Sequence, residues 1–201
     1  MFGFKNRTSP PATEVKASAA GRVMAMSGAG RVAWSPRDVV SLTKAGFSGN
    51  PIGFRAVKMI AEAAAALPVV LQDDARRYDT HPVQGLLARP NAGQGRAELL
   101  EALFGQVLLT GNGYLEAVGD DGLPVEMHVL RSDRMSVVPG ADGWPVGFEY
   151  MVGGRKHRFA MAAGGTPICH IKSFHPQDDH YGFSALQAAA SAIDVHNAAS
   201  R

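Results

Sequence analysis

The sequence has 201 residues, of which 46% are hydrophobic and 19% are charged, and its formal net charge is +2. This length suits one domain or slightly more, with enough apolar residues for a sizeable core. The composition excludes collagen, coiled coil and wholesale disorder. The charge is uneven, because the first fifty residues contain seven Lys/Arg and two acidic residues, whereas the remainder contains thirteen and sixteen. The body is therefore slightly acidic, which is not typical of a nucleic-acid-binding surface.

The N-terminal segment differs from the rest of the chain. Residues 1–36 are rich in Ser, Ala, Gly and Pro and lack periodicity, which predicts a flexible basic arm ahead of a domain over 37–201. The first residues have no apolar segment like that of a secretory signal, and the run from Ala63 to Leu71 is too short to span a membrane. The single cysteine, Cys169, excludes an intrachain disulfide and fits a reducing compartment.

Three helices are predicted in the first half of the domain. The first begins at Asn50, a good N-cap followed by a proline, and ends at Pro68. Its apolar stripe, at helical spacing, is Ile52, Ala56, Met59, Ile60, Ala63, Ala64 and Leu67. A short buried strand is predicted over residues 69–71, followed by a short helix that Thr80 caps and Pro90 ends. The third helix has a wide apolar face and ends at the turn 111–113.

From Tyr114 onwards the apolar period changes from helical to two, which predicts antiparallel strands. Gly153-Gly154 between two apolar runs indicates a tight hairpin. No helix separates the strands, so parallel βαβ units are excluded and an antiparallel meander is predicted, giving an α+β fold. The predicted strands are Tyr114–Val118, Val125–Leu130, Met135–Val138, Val146–Val152, Lys156–Phe159 and Ile168–Ile171.

The last predicted helix begins near Ser184, a plausible cap, and continues through Leu186, Ala190 and Ile193. No stop signal precedes Arg201, so we expect the protein to continue beyond this residue.

Few residues in the sequence point to chemistry. There is no phosphate-binding loop and no nucleophile elbow. Cys169 and His170 are adjacent in a predicted strand, where neighbouring side chains point to opposite faces, so we interpret Cys169 as a buried structural thiol. The cluster of His175, Asp178, Asp179 and His180 has metal-capable side chains, but its setting is typical of an exposed loop. We predict neither a cofactor nor a metal.

Short basic segments flank two of the turns. Arg76-Arg77 and Arg155-Lys156-His157-Arg158 are typical of solvated turns. The second, with Arg155, Lys156 and Arg158, is also where a hairpin facing a partner or DNA would present its charge. Aromatic residues that would stack on single-stranded bases are not interleaved with it.

Taken in order, a series of motifs resembles a known family. The sequence is similar to the N-terminal half of the portal proteins of tailed double-stranded DNA bacteriophages and the related gene transfer agents, over about residues 40–200. The motifs, in chain order, are Asn50-Pro51, Ala-Leu-Pro-Val-Val-Leu (66–71), His81-Pro82, Leu86-Leu87, Arg89-Pro90-Asn91, Leu-Leu-Thr-Gly-Asn-Gly-Tyr (108–114), Val-Leu-Arg-Ser-Asp-Arg-Met (129–135), Ile-Cys-His-Ile-Lys (168–172) and Tyr-Gly-Phe-Ser-Ala-Leu (181–186).

The resemblance implies an α+β wing-type body that leads through its last helix into a stem. It implies a structural subunit, without catalysis, in a ring that is usually a dodecamer at one capsid vertex. Such a ring conducts double-stranded DNA without sequence specificity and contacts the major capsid protein, the terminase large subunit and a head–tail adaptor. The implied location is the virion, after assembly in the bacterial cytoplasm, with no membrane contact.

The motifs also imply architectural roles for particular residues. Pro90 and Asn91 would set a turn between helices, and Gly182 would turn the chain into the last helix. The helix-to-strand turn would be set by Gly111, Asn112 and Gly113. The alternative from a different class is an α+β hydrolase that uses Cys169 as a thiol or His175 and His180 at a metal.

Overall fold

The computed structural model describes residues 34–119, 123–162 and 165–200. Most of the predicted arm, residues 1–33, lies outside the described residues. Within them, no helix is long and apolar enough to cross a bilayer.

Helices form most of the first half. A short helix α1 (Val39–Thr43) continues into a π-helical turn (Lys44–Ser48), and α2 (Pro51–Ala65), α3 (Pro82–Ala88) and α4 (Arg96–Thr110) follow. The cap predicted at Asn50 is confirmed, since its Oδ1 accepts the Gly53 N–H at 2.8 Å. The cap predicted for α3 is wrong by one residue: His81, with Pro82 after it, occupies the N-cap and its Nδ1 accepts the Val83 N–H.

The predicted strand at residues 69–71 is also shifted and is not buried. The observed strands are β1 (Leu71–Gln72) and β2 (Arg77–Tyr78), which pair only with each other among the described strands. Val69 and Val70 are 44% and 40% exposed. Since this two-stranded hairpin lies outside both larger sheets, no sheet layer buries it.

The predicted antiparallel strands are all present and form two sheets. They are β3 (Asn112–Val118), β4 (Glu126–Leu130), β5 (Met135–Pro139), β6 (Pro145–Val152), β7 (Arg155–Ala160) and β8 (Ile168–Lys172). One sheet has the order β4-β3-β8 and the other β5-β6-β7. The single predicted meander is thus divided, because a 3₁₀ turn (Ser132–Arg134) separates β4 from β5 and β8 returns to the free edge of β3.

The core of the β half is built from both sheets. The buried cluster contains Tyr114, Leu130, Met135, Phe148 and Ile168. Two of these residues belong to the second sheet and three to the first, so side chains from both sheets form one hydrophobic layer.

In the helical half, α2 packs against α4. The buried apolar residues of α4 are Leu99 and Leu103, and those of α2 are Val57, Ala61 and Ala65. The packed face of α2 is therefore not the apolar stripe identified in the sequence, since Ile52, Met59 and Ile60 are 63%, 52% and 51% exposed. Small alanines meet large leucines in this contact, which lets the two helices approach closely.

The last helix, α5 (Ala185–Ala199), begins as predicted. The hydroxyl of Ser184 accepts the Gln187 N–H at 2.9 Å. Leu186, Ala190 and Asp194 are its buried residues, and α5 contacts α4 and the π-helical turn. The α+β class predicted from the sequence is confirmed.

Candidate structural site around Asn112

The turn between α4 and β3 reverses the chain within one residue. Gly111 has φ 77°, in the left-handed region, and its N–H donates to the carbonyl of Val107 at 2.8 Å, which closes α4. Glycine adopts this conformation without the cost of a Cβ, so α4 ends here and β3 begins at the next residue.

The side chain of Asn112 joins three segments of the chain. Its Oδ1 accepts the Gly182 N–H at 2.8 Å and faces His170 Nε2 at 3.0 Å. Its Nδ2 donates to the Thr110 carbonyl at 2.9 Å, which fixes the orientation of the amide. Asn112 is only 6% exposed, so these hydrogen bonds satisfy polar atoms that water does not reach.

Gly111 and Gly182 lie so close together that neither has room for a side chain. A Cβ on Gly182 would lie 2.0 Å from the Gly111 oxygen and 2.8 Å from the Ser173 nitrogen. A Cβ on Gly111 would lie 2.4 Å from the carbonyl carbon and oxygen of Gly182. The Ser173 N–H also donates to the Gly111 carbonyl at 2.8 Å. Both ends of the loop 173–182 therefore contact this turn.

We name this cluster of Gly111, Asn112, His170, Ser173 and Gly182 the Asn112 junction. It brings together the ends of α4 and β8 and the beginnings of β3 and α5. The sequence assigned Gly111 and Asn112 to one turn and Gly182 to another, and the structure brings the two turns into contact.

His170 lies at the buried end of the junction. Its ring stacks on Tyr114 with centroids 4.3 Å apart and meets Phe148 edge-on. Burial, with a smaller effect of the Lys172 charge, lowers the pKa of His170 to about 4. Since Asn112 Oδ1 can only accept, the neutral imidazole carries its proton on Nε2.

Tyr114 and Tyr181 connect the junction to the two sheets. Tyr114 is 1% exposed, and burial, together with the nearby Tyr181 and Asp178, raises the pKa of its hydroxyl. The Tyr181 hydroxyl accepts the Val137 N–H at 3.0 Å and so ties the loop before α5 to β5. Aromatic packing and backbone hydrogen bonds thus hold this loop in place.

Pro90 and Asn91 form a second, smaller backbone clasp. Pro90 is fully buried, and its carbonyl accepts the Met127 N–H at 2.7 Å. Asn91 Nδ2 donates to the Met127 carbonyl at 2.9 Å and to Gln94 Oε1 at 3.0 Å, while its Oδ1 accepts the Gly93 N–H. The turn is therefore held to β4 through both backbone hydrogen-bonding groups of Met127.

Gly113, the last residue of the turn 111–113, lacks room for a side chain for a different reason. A Cβ there would lie 2.8 Å from Val107 Cγ2 and 2.9 Å from Leu103 Cδ1, which are side-chain ends of α4. Close packing of β3 on α4, rather than an unusual backbone conformation, requires glycine at this position.

The basic hairpin lies at a sheet edge. Gly153 and Gly154 have φ 55° and 77°, as a tight hairpin turn requires, which confirms the turn predicted there. Arg155, Lys156 and Arg158 lie on β7, the outer strand of its sheet, and all are exposed. Lys156 Nζ pairs with Glu149 Oε2 at 3.1 Å.

The residues considered for chemistry do not come together. Cys169 is exposed, so the prediction of a buried thiol is wrong; on β8 it lies on the face opposite His170, which packs on Tyr114. His175 Nδ1 accepts the Gln177 N–H, and Asp178 Oδ1 accepts the N–H groups of His180 and Tyr181. Among the described residues, no three His, Cys, Asp or Glu side chains are grouped around a metal position.

A buried polar cluster lies at the end of α5 and was not predicted from the sequence. Asp194, 3% exposed, accepts both the N–H and the hydroxyl of Ser35, at 2.9 and 2.6 Å. Asn50 Nδ2 donates to Asn197 Oδ1 at 2.9 Å. The signal was present, because Asp194 continues the buried spacing of Leu186 and Ala190, where an acid needs a partner.

The geometry thus defines an architectural site, in which side chains hold backbone segments of an α+β body. Residues 51–201 match the family described as phage portal protein, and the chain belongs to this family. Membership of this family supports a structural, non-enzymatic role and does not support the hydrolase alternative that used Cys169 or His175 and His180.

Solved structures of gene transfer agent (GTA) particles contain similar chains. A chain in the neck of an empty GTA particle computed with C6 symmetry is 71% identical, with a TM-score of 0.79, over 85% of this chain and 46% of that chain. A chain in the neck of a native particle computed with C12 symmetry is 66% identical, with a TM-score of 0.73, over 85% of this chain and 45% of that one.

Curated relatives are more distant. An uncharacterized protein of Rickettsia bellii (strain RML369-C) is 30% identical over 155 residues, which are 75% of this chain and 40% of that protein. One from Rickettsia felis (strain ATCC VR-1525 / URRWXCal2) is 31% identical over 151 residues, 73% of this chain and 39% of that protein. The chain therefore spans about two fifths of these relatives and just under half of the neck chains.

Proposed function

We propose that this chain is the N-terminal part of a portal subunit that forms a closed ring at one capsid vertex of a phage-like particle. The observation that carries the proposal is the 71% identity, at a TM-score of 0.79, to a chain in the neck of a GTA particle. This identity and TM-score support a fold shared by the two chains over the matched region.

The ring is a dodecamer in this proposal. Similar chains occur in necks computed with C12 and with C6 symmetry, and six-fold averaging is compatible with twelve copies. In a ring closed by rotation each protomer contacts its two neighbours through two different surfaces.

The proposed work of the ring is to conduct double-stranded DNA during packaging and ejection. The ring binds the terminase large subunit during packaging and the head–tail adaptor afterwards. It also contacts the major capsid protein. Residues 51–201 contain thirteen Lys/Arg and sixteen Asp/Glu, which supports a conduit that binds the DNA phosphates only weakly. The location is the virion vertex, after assembly in the bacterial cytoplasm.

Within this subunit, residues 37–201 form the wing body and residues 1–36 form an arm that reaches a neighbour. Ser35, near the end of the arm, donates a hydrogen bond to Asp194 on α5, which supports an arm whose C-terminal end is anchored to the body. The Asn112 junction and the Pro90–Asn91 clasp keep the body rigid. The basic hairpin with Arg155, Lys156 and Arg158 faces a partner or the DNA.

Assembly of the full-length protein tests this proposal. Native mass spectrometry and electron microscopy are expected to reveal closed rings, with a mass of twelve subunits. Deletion of the gene in the producing cell is expected to give particles without nuclease-protected DNA. A strictly monomeric full-length protein at high concentration, or normal DNA content after deletion, would refute the proposal.

A further inference from the structure

Helix α2 is apolar on two opposite sides. At about 100° per residue, Val57, Ala61 and Ala65 lie on the side that packs against α4. The exposed residues Ile52, Ala56, Met59, Ile60 and Ala63 lie roughly 150° away around the helix axis. We name these five residues the α2 stripe.

The α2 stripe is strongly exposed in the single protomer. Ile52, Met59 and Ile60 are 63%, 52% and 51% exposed, and Leu67, just beyond the end of the helix, is 63% exposed. No other element among the described residues has as many large apolar side chains exposed as α2. A helix that is apolar on opposite sides is normally packed between two layers, and only one of these layers is present in the part of the chain that the structure describes.

Charged residues border the stripe along one side only. Lys58 pairs with Glu62 at 3.1 Å and also with Glu101 of α4, and Arg55 lies 3.8 Å from Glu62. The stripe itself carries no charge. An apolar centre with a polar margin is the usual arrangement of a protein–protein contact, whereas a DNA contact would need positive charge on the stripe.

We propose that the α2 stripe is one half of the contact between neighbouring protomers, so that its occupant is a second copy of this chain. This inference rests on the proposed ring. In particles with six-fold or twelve-fold symmetry each copy of the similar chain has a copy on either side, and each protomer must bury two different surfaces. The stripe supplies the uncharged, apolar centre that one of these surfaces requires.

Charge substitutions in the full-length protein test the proposal. Ile60→Asp places a carboxylate in the stripe, whereas the matched control Arg55→Glu places one on the same helix within the charged border of the stripe. Because Ile60→Asp places a charge in the proposed apolar contact, we expect the protomer concentration needed for half-assembly to rise about tenfold or more for this variant and less than about threefold for Arg55→Glu. Equal effects of the two substitutions would overturn the proposal. Circular dichroism of the unassembled variants checks that both are folded.

Photo-crosslinking identifies the occupant directly. A benzophenone amino acid replaces Ile60 in the full-length protein, and rings are verified by electron microscopy before irradiation. A covalent ladder that extends beyond the dimer on denaturing gels supports a head-to-tail contact with a second copy. Dimers alone, or crosslinks within one chain, overturn the inference while the ring, and with it the proposed function, stands. If the unsubstituted full-length protein forms no ring at all, the proposed function itself fails.

Discussion

The Asn112 junction and the α2 stripe differ in where their side chains find contact partners. At the junction, buried polar groups meet partners from the same protomer, and Asn112 alone makes hydrogen bonds to Gly182, His170 and Thr110. Along the stripe, large apolar side chains are exposed and are not covered by any element among the described residues. The first region is complete within one chain, whereas the second becomes complete only on assembly. Substitutions at the junction should therefore change protomer stability, and substitutions at the stripe should change assembly.

The largest expected effect is that of Gly182→Ala. The new Cβ would lie 2.0 Å from the Gly111 oxygen, so the backbone must move and the Asn112 hydrogen bond to Gly182 is lost. We expect the free energy of unfolding to fall by about 3 kcal/mol or more, measured by urea denaturation of the full-length protein.

Gly105→Ala is the matched control for this substitution. Gly105 lies inside α4, and apart from the backbone of its own helix turn no described atom lies within 4 Å of an added Cβ, so alanine should raise the free energy of unfolding by about 0.5–1 kcal/mol. If both glycine variants were equally stable, close packing would not explain the glycine at position 182.

Asn112→Ala is expected to cost slightly less, about 2–4 kcal/mol of unfolding free energy. It removes a buried amide and leaves the Gly182 N–H and the His170 imidazole without that partner. Chemical denaturation measures the loss, and Val118→Ala at the exposed end of the same strand serves as a control with a small effect. A loss at Asn112 no larger than that at Val118 would mean that the junction contributes little to stability.

A pH dependence of intermediate size is expected from His170. Its folded-state pKa of about 4 lies below the ordinary value of 6.5, so the unfolded chain takes up the proton first. The contribution of His170 to stability should therefore be constant above about pH 6.5 and fall between about pH 6.5 and 4, by about 1–2 kcal/mol after allowance for partial solvent screening.

His170→Gln isolates this effect, because glutamine can still donate to Asn112 but does not titrate. Denaturation curves at a series of pH values should give a shallower slope for the variant between pH 6.5 and 4. An unchanged slope would assign the pH dependence to other groups.

The sequence predicted the local features of the fold well, because their signals lie within a few residues. The caps at Asn50 and Ser184 and the Gly153-Gly154 turn each depend on neighbouring backbone atoms. The meeting of Gly111 with Gly182, seventy-one positions apart, could not be predicted in this way. It depends on the pairing of β8 with β3, which no local pattern specifies.

The α2 helix illustrates a second limit of sequence patterns. Periodicity selects the most hydrophobic side of a helix, and on α2 this side contains Ile52, Met59 and Ile60. The side that packs instead contains Ala61 and Ala65, because small side chains fit the leucines of α4. A single sequence does not distinguish a side buried within the protomer from a side buried on assembly, so the apolar stripe that the periodicity indicates is not the side of α2 that packs against α4.

The smallest expected effect concerns the stability of the protomer when the α2 stripe is changed. Ile60→Thr removes apolar surface from a side chain that is already 51% exposed, so the free energy of unfolding of the unassembled protomer should change by less than about 0.5 kcal/mol. Ala61 is 2% exposed, so Ala61→Thr places a larger, polar side chain in the contact with α4. This substitution should lower the free energy of unfolding by about 1–3 kcal/mol. Thermal unfolding of both variants at concentrations below ring assembly measures this contrast. A loss at Ile60 as large as that at Ala61 would mean that the stripe is covered by its own chain, and the distinction between the junction and the stripe would no longer hold.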